Sequence, residues 1–263
     1  MMKLVEALGI RPGEAVAFVG AGGKTTAIWR VQAELVAGGA RTICTTTTKM
    51  MEPVLPPDGV LNLALRPEAV RIVDLLNRAP RLVLATRRLS EIYALHADHP
   101  VPSRPFKLDG LPPDVLDELA AQLPGVTWLI EADGAKGSGL KIHAAHEPVI
   151  PSGVTMVVVM AHLDVLGHPL DATTVHRVDD ATRVLGVPIK TLITPALFAR
   201  ALCDASSLQG APQGARVVVM LTQRSATLHP DARALADLLR ERYHHVVIAA
   251  LRADDPVLAV LMP

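Results

Sequence analysis

"VGAGGKTT", residues 19–26, follows the apolar run "AVAFV" and opens onto a helical pattern, and its reading decides the fold. A phosphate cradle needs backbone N–H groups aimed at an anion, a helix N-terminus behind them, and a cation that reaches the outer phosphates. Gly20, Gly22 and Gly23 let the backbone turn and approach closely, and Lys24 supplies the charge. The competing reading is a glycine-rich turn with an exposed lysine. The order strand, glycine loop, helix is the context that favours the cradle. We therefore assign nucleotide binding to Gly20, Ala21, Gly22, Gly23, Lys24, Thr25 and Thr26. Lys24 is expected on the β/γ-phosphates, and the Thr25 hydroxyl on Mg²⁺. The first glycine is Gly20, so the loop is two residues shorter than the G-x-x-x-x-G-K-[ST] spacing.

Outward from this loop, short apolar runs alternate with helical patterns. The runs are "RTICTTT", "RLVLAT" at 81–86, "VTWLIEAD" at 126–133, "VTMVVVM" at 154–160, "ARVVVML" at 215–221 and "HVVIAAL" at 245–251. Several are continuously apolar, which suits strands covered on both faces and hence a parallel sheet. Helices are predicted in "KTTAIWRVQAELVAGG", where Ile28, Val31 and Leu35 share a face, and in "RPEAVRIVDLLNRA", "LPPDVLDELAAQL" and "HPDARALADLLRERY". The alternation predicts an α/β fold with a doubly wound, mostly parallel sheet and helices on both faces, like that of P-loop NTPases. A single domain over 1–263 is expected, with a smaller second lobe after residue 150 left open. "SEIYALHADHPVPSRPFKLDGL", rich in Pro and His, reads as a long loop or small insertion.

Two further stretches sit at strand ends, where ligands of parallel sheets bind. In "WLIEADGAKGSGLK", Glu131 and Asp133 end an apolar strand, and a carboxylate there can hold Mg²⁺. Thr25 and Glu131 are the expected metal-holding pair. Lys24, Glu131, Asp133 and Lys136 are the expected catalytic group, with Asp133 orienting the nucleophile. In "CTTTTKM", Thr46, Thr47, Thr48 and Lys49 read as a wall touching the terminal phosphate or a second substrate, together with Lys141 and His146. Strand propensity and a polar turn explain the threonines equally well. "HAAHE" at 143–147 is H-x-x-H-E, not the zinc-protease order, and predicts no zinc site.

Lys plus Arg equals Asp plus Glu, 26 each, so no global field points to nucleic acid. No apolar run reaches the ~20 residues of a membrane span, and the first residues carry no secretory signature. Cys44 and Cys203 form no metal motif and read as thiols of a reducing compartment. These features predict a cytoplasmic protein with no nucleic-acid or membrane partner.

In order, "VGAGGKTT", "TTTTKM", "EADGAK" and "HEPVIP" resemble the YqeC family, whose members are described as accessory proteins of selenium-dependent hydroxylases; "LDVLGHPLDATTVHR" at 163–177 resembles its central segment. The resemblance implies an Mg²⁺-dependent P-loop NTP-binding protein in the maturation of selenium- or molybdenum-dependent hydroxylases. ATP or GTP would be the cofactor, and a hydroxylase or its cofactor the partner. The family pattern often has proline where this chain has Gly139 and His143. Relatives also tend to show an N-K-x-D-like stretch where this chain has "LTQRS", Thr222 to Ser225, so guanine selectivity is not implied here. Two functions fit: an NTPase or phosphoryl/nucleotidyl transferase, or a nucleotide-gated switch or cofactor chaperone with little turnover of its own.

Overall fold

The computed structural model describes residues 2–89, 106–240 and 242–261. The core of the predicted insertion, including "HADH" at 96–99, lies outside the described residues. The strands are β1 Ala15–Gly20, β2 Thr42–Thr46, β3 Lys49–Met51, β4 Gly59–Leu63, β5 Arg81–Ala85, β6 Arg87–Leu89, β7 Lys107–Asp109, β8 Thr127–Glu131, β9 Leu140–Lys141, β10 Met156–His162, β11 Val175–His176, β12 Arg216–Thr222, β13 Val246–Ala249 and β14 Val257–Leu261. The helices are α1 Leu4–Leu8, α2 Lys24–Ala37, α3 Ala69–Arg78, α4 Pro113–Gln122, α5 Val178–Leu185, α6 Pro195–Leu202 and α7 Ala232–Leu239.

Nine strands form one sheet in the order β14-β13-β12-β10-β1-β8-β2-β5-β4, parallel throughout except for β14 against β13. The strands after residue 150 thus continue the sheet that begins with β1. Small ladders flank it: β3-β7-β6, and β9 paired with β11.

The continuous apolar runs hide a strict alternation. Ala15, Ala17 and Val19 point into one core with Ile72 of α3, Leu116 of α4, Leu185 of α5, Phe198 of α6 and Leu235 of α7. Val16 and Phe18 point into the other, with Leu4 and Leu8 of α1 and Ile28, Val31 and Leu35 of α2. Both faces are therefore dry, which is why neither alternate set needs to be polar. Fully burying a side chain such as Phe18 contributes about 1.5–3 kcal/mol.

The chain leaves β1 toward β2 on one side of the sheet and places β10, β12 and β13 on the other. The reversal puts a crevice at the carboxyl end of β1, the usual ligand position in such sheets. On α2, Arg30 donates to the carbonyls of Leu251 (3.2 Å), Ala253 (2.6 Å) and Asp254 (2.8 Å), tying the turn after β13 to the helix.

Sequence patterning finds the long parallel strands and α2, α3, α4 and α7. It passes over α1, α5 and α6, of 5, 8 and 8 residues. It also passes over the edge strands β4 and β14. These follow "EPVLPPDG" and "RADDP", so their approach reads as loop.

Candidate functional site

The loop after β1 is shaped by glycines, two of which leave no room for a side chain. Gly20, Gly22 and Gly23 have φ of 91°, 86° and 95°. A Cβ on Gly20 would lie 2.4 Å from the Met160 carbonyl oxygen, and one on Gly22 2.7 Å from the His162 nitrogen. Both clashes are with backbone of the neighbouring β10, which cannot swing away. The Ala21 N–H donates to the Met160 carbonyl (2.8 Å). The Thr222 hydroxyl, at the end of β12, donates to the Gly22 carbonyl (2.6 Å). The loop is thus fastened to β10 and β12, with α2 beginning at Lys24 behind it. Gly20→Ala combines a backbone clash with a strained φ, and it should cost at least ~1–3 kcal/mol. Chemical denaturation checks this, and parental stability would mean that the loop is slack.

Lys24 is buried, with 5 % of its surface exposed. Its ammonium donates to the Gly20 carbonyl (2.6 Å) and pairs with Asp133 Oδ1 (2.9 Å). An ammonium has three N–H donors, so one remains for a ligand. Burial works against its charge, but Asp133 and Glu131 more than offset this and raise its pKa above the ordinary lysine value.

Asp133 is the hub. Its Oδ2 accepts from the Gly20 N–H (2.8 Å) and faces His143 Nε2 (2.6 Å) and the Lys141 ammonium (3.2 Å). Burial favours the neutral acid, yet Lys24, His143 and Lys141 together hold its carboxyl well below the usual carboxylate range. An ionised carboxylate only accepts, so His143 Nε2 carries the proton of that bond. The site thus ties Asp133 to the glycine loop and to Lys24.

Glu131 ends β8, which pairs with β1. Its Oε2 accepts from the Thr25 hydroxyl at 2.7 Å. The two residues expected to share a metal are therefore already together, on adjacent elements. Burial raises the Glu131 pKa, and Lys24 and the Thr25 hydrogen bond only partly counter it. A proton and a cation compete for such a carboxylate. If the Thr25–Glu131 pair holds Mg²⁺, the contribution of the metal to ligand affinity should shrink as pH falls toward the raised Glu131 pKa, above the ordinary 4.5. Titration of affinity against pH, with and without Mg²⁺, checks this. The same loss in Glu131→Gln would place the titrating group elsewhere.

Three threonines of "CTTTTKM" spend their hydroxyls on backbone, while that of Thr48 faces the Thr46 hydroxyl at 3.4 Å. Thr45 donates to the Leu84 carbonyl (3.0 Å), Thr46 to that of Glu131 (2.7 Å) and Thr47 to that of Val149 (2.7 Å). Thr46 thereby fixes the backbone from which Glu131 projects. The Thr46 hydroxyl also accepts from the Thr48 N–H (3.0 Å). Thr26 is exposed on the first turn of α2, and Lys49 is exposed on β3 opposite Asp109. Neither hydrogen-bonds to the cluster among the described residues.

Beyond Asp133 the charges continue. Lys141, whose side chain is wholly buried, donates to the Gly134 carbonyl (2.6 Å) and pairs with Glu147 Oε2 at 2.8 Å. Arg177 pairs with the same Glu147 oxygen (3.2 Å) and touches His146 (3.4 Å). Lys136 is exposed, in the left-handed region at φ 47°, and joins none of these pairs. Sequence reading missed His143 and Glu147 as members of the cluster. Only the H-x-x-H-E spacing hinted at them, and partners ten residues or more away are invisible to spacing.

A groove between the starts of α3 and α4, lined by Arg66, Val70, Asp114 and Glu118, includes none of these groups. The fold and the crevice define a doubly wound α/β protein of the P-loop-like kind, with a glycine loop, a buried lysine and two carboxylates at its switch point. Within that class the chain belongs to the YqeC family: the family model "YqeC protein" matches residues 16–179, well over half of the chain. It is also 28 % identical over 242 residues to "Uncharacterized protein YqeC" of Escherichia coli (strain K12), covering 91 % of this chain and 86 % of that protein. Among the described residues, no helix is long and apolar enough to cross a membrane.

Proposed function

We propose that this protein binds Mg²⁺·NTP in the loop from Gly20 to Thr26 and hydrolyses it or transfers its phosphoryl or nucleotidyl group. The observation that carries this reading is the pairing of a buried Lys24, with one ammonium donor left over, with the Thr25–Glu131 contact of 2.7 Å between α2 and β8. Oxygen donors of this kind suit Mg²⁺, which is held by one or two protein groups, with phosphates and water completing its shell. Bound there, the metal would neutralise phosphate charge. Thr25 and Glu131 would hold it, and Lys24 would direct its spare N–H to a phosphate oxygen. Asp133 is a positioning residue, fixing Lys24 and the Gly20 N–H. Pre-set charge of this kind is the main protein contribution to phosphoryl transfer. The base is open between ATP and GTP, since Gln223 of the "LTQRS" stretch spends its side chain on its own loop, on Ser225, Thr227 and His229.

With the resemblance to the YqeC family behind it, the reading extends to a role in the maturation of selenium- or molybdenum-dependent hydroxylases, with such an enzyme or its cofactor as partner and the cytoplasm as the site of action. A nucleotide-gated chaperone with slow turnover is the second reading. It is favoured by the ladder of ion pairs that links the loop to the distant Arg177.

The test is product analysis with Mg²⁺ and ATP or GTP, with and without a hydroxylase. Release of orthophosphate or pyrophosphate that falls in Glu131→Gln supports the enzyme. Release only with the hydroxylase supports the chaperone. Equal release in Glu131→Gln contradicts both metal roles.

A further inference from the structure

The ion pairs form one ladder along the carboxyl edge of the sheet, alternating in sign: Lys24, Asp133, Lys141, Glu147, Arg177. Its inner rungs are buried. Its outer end is not. Arg177 uses its Nε on Glu147 and one Nη2 contact on His146, so most of its five N–H donors have no partner among the described residues. The Arg177 side chain is 28 % exposed; His146, which it touches, is exposed, and so is Lys136, whose charge acts on His176.

His176 completes the group. β11 pairs in parallel with β9 in the register His176↔Lys141, so the two side chains leave the same face of the ladder. Burial, with Lys141 and Arg177 adding to it, holds the His176 pKa below the usual histidine value; Glu147 pulls the other way and Lys136 adds to the lowering. Cations and imidazoles therefore gather around Glu147, which is already shared by Lys141 and Arg177.

The patch is also rigidly placed. Arg177 sits in the left-handed region at φ 63°, unfavourable for an L-residue, and it caps α5. The 143–147 segment is held from the far side by Gln209, which donates to the Ala145 carbonyl. A left-handed arginine kept in a fixed place, with its fork half used, is suited to an anion.

We propose that Arg177, His146, His176 and Lys136 form a second anion subsite, which takes the oxyanion group of a second substrate. Its chemical class is a phosphomonoester or a comparable tetrahedral oxyanion, held through the arginine fork. The position is two carboxylates away from Lys24 along the ladder, so under the nucleotide reading above the subsite would seat an acceptor on the same edge of the sheet as the triphosphate. The subsite itself uses none of the cradle residues.

The experiment is a titration of the full chain with inorganic phosphate, following the imidazole NMR signals of His146 and His176. It is run in the Lys24→Ala background, so that loss of the cradle cannot be mistaken for loss of this subsite. Saturable shifts of both signals, with an upward move of the His176 titration, are expected. Arg177→Gln should weaken the phosphate affinity about tenfold, as loss of a charge-assisted hydrogen bond would. If Arg177→Gln does not fold, His146→Ala, at an exposed position, gives the same readout through His176. Shifts of unchanged affinity in these variants, or none that saturate, overturn the subsite. Binding of phosphate here without any nucleotide binding by the parent chain would keep the subsite and remove the NTP reading.

Discussion

Lys24→Ala is expected to weaken Mg²⁺·nucleotide binding by about 100-fold while leaving the fold in place. Lys24 sits in a pocket where water does not screen it, with two of its three N–H donors spent on Gly20 and Asp133. A hydrogen bond from a charged group contributes about 1.5–3 kcal/mol, and the ammonium adds its attraction to the remaining phosphate charge. Some 2.7 kcal/mol corresponds to a factor of 100. The fold survives because Asp133 keeps its other contacts, the Gly20 N–H, His143 and Lys141. Equilibrium binding of a fluorescent nucleotide, beside an unfolding curve, reads both quantities. Parental affinity in the variant would remove Lys24 from the phosphate site.

Asp133→Ala should act in the opposite way, on stability first. The carboxylate is wholly buried and compensates two ammonium groups that are themselves buried. Removing one member of such an arrangement costs about 3–5 kcal/mol, because the partner charges stay behind without compensation. That is a large share of the ~5–15 kcal/mol that holds a typical domain. The pH dependence has a definite sign. The Asp133 pKa is lowered in the folded chain from its ordinary 3.8, so its stabilisation is complete above that value and fades as pH falls below it. Urea midpoints between pH 7 and pH 3 check this. Asp133→Asn should be less stable than the parent at neutral pH and should lack this component of the acid loss. A loss in Asp133→Ala no greater than that of an ordinary surface substitution would show that the hub is dispensable.

These expectations depend on contacts that a sequence reveals unequally. The glycine loop is legible because its requirements are local: positive φ at Gly20, Gly22 and Gly23, and a helix beginning at Lys24. The parallel sheet is legible because burial on both faces leaves continuous Val-rich runs. The pairing of Thr25 with Glu131 spans 106 residues. Spacing gives each residue its type, and only strand order brings them together. Asp133 reads from sequence as a group that orients a nucleophile, whereas the structure surrounds it with Lys24, Lys141, His143 and the Gly20 N–H. The threonines after β2 show the same limit. Their chemistry suggests a ligand wall, while their hydroxyls fasten neighbouring strand ends. Arg177 reads from the resemblance as a second-substrate contact or a surface ion pair, and the structure supplies its partner, Glu147, thirty residues earlier.

The central claim is that the loop from Gly20 to Thr26 is a nucleotide site. The most direct test is a thermal-shift titration of the parent chain with Mg²⁺ and, in turn, ATP, GTP and CTP. A ligand at 100 times its dissociation constant should add about 2.7 kcal/mol of stability. The account predicts a saturating upward shift with at least one of the three, reduced when Mg²⁺ is chelated. No shift with any of them, at concentrations that saturate ordinary NTP-binding proteins, would contradict it and leave the glycine loop as a turn.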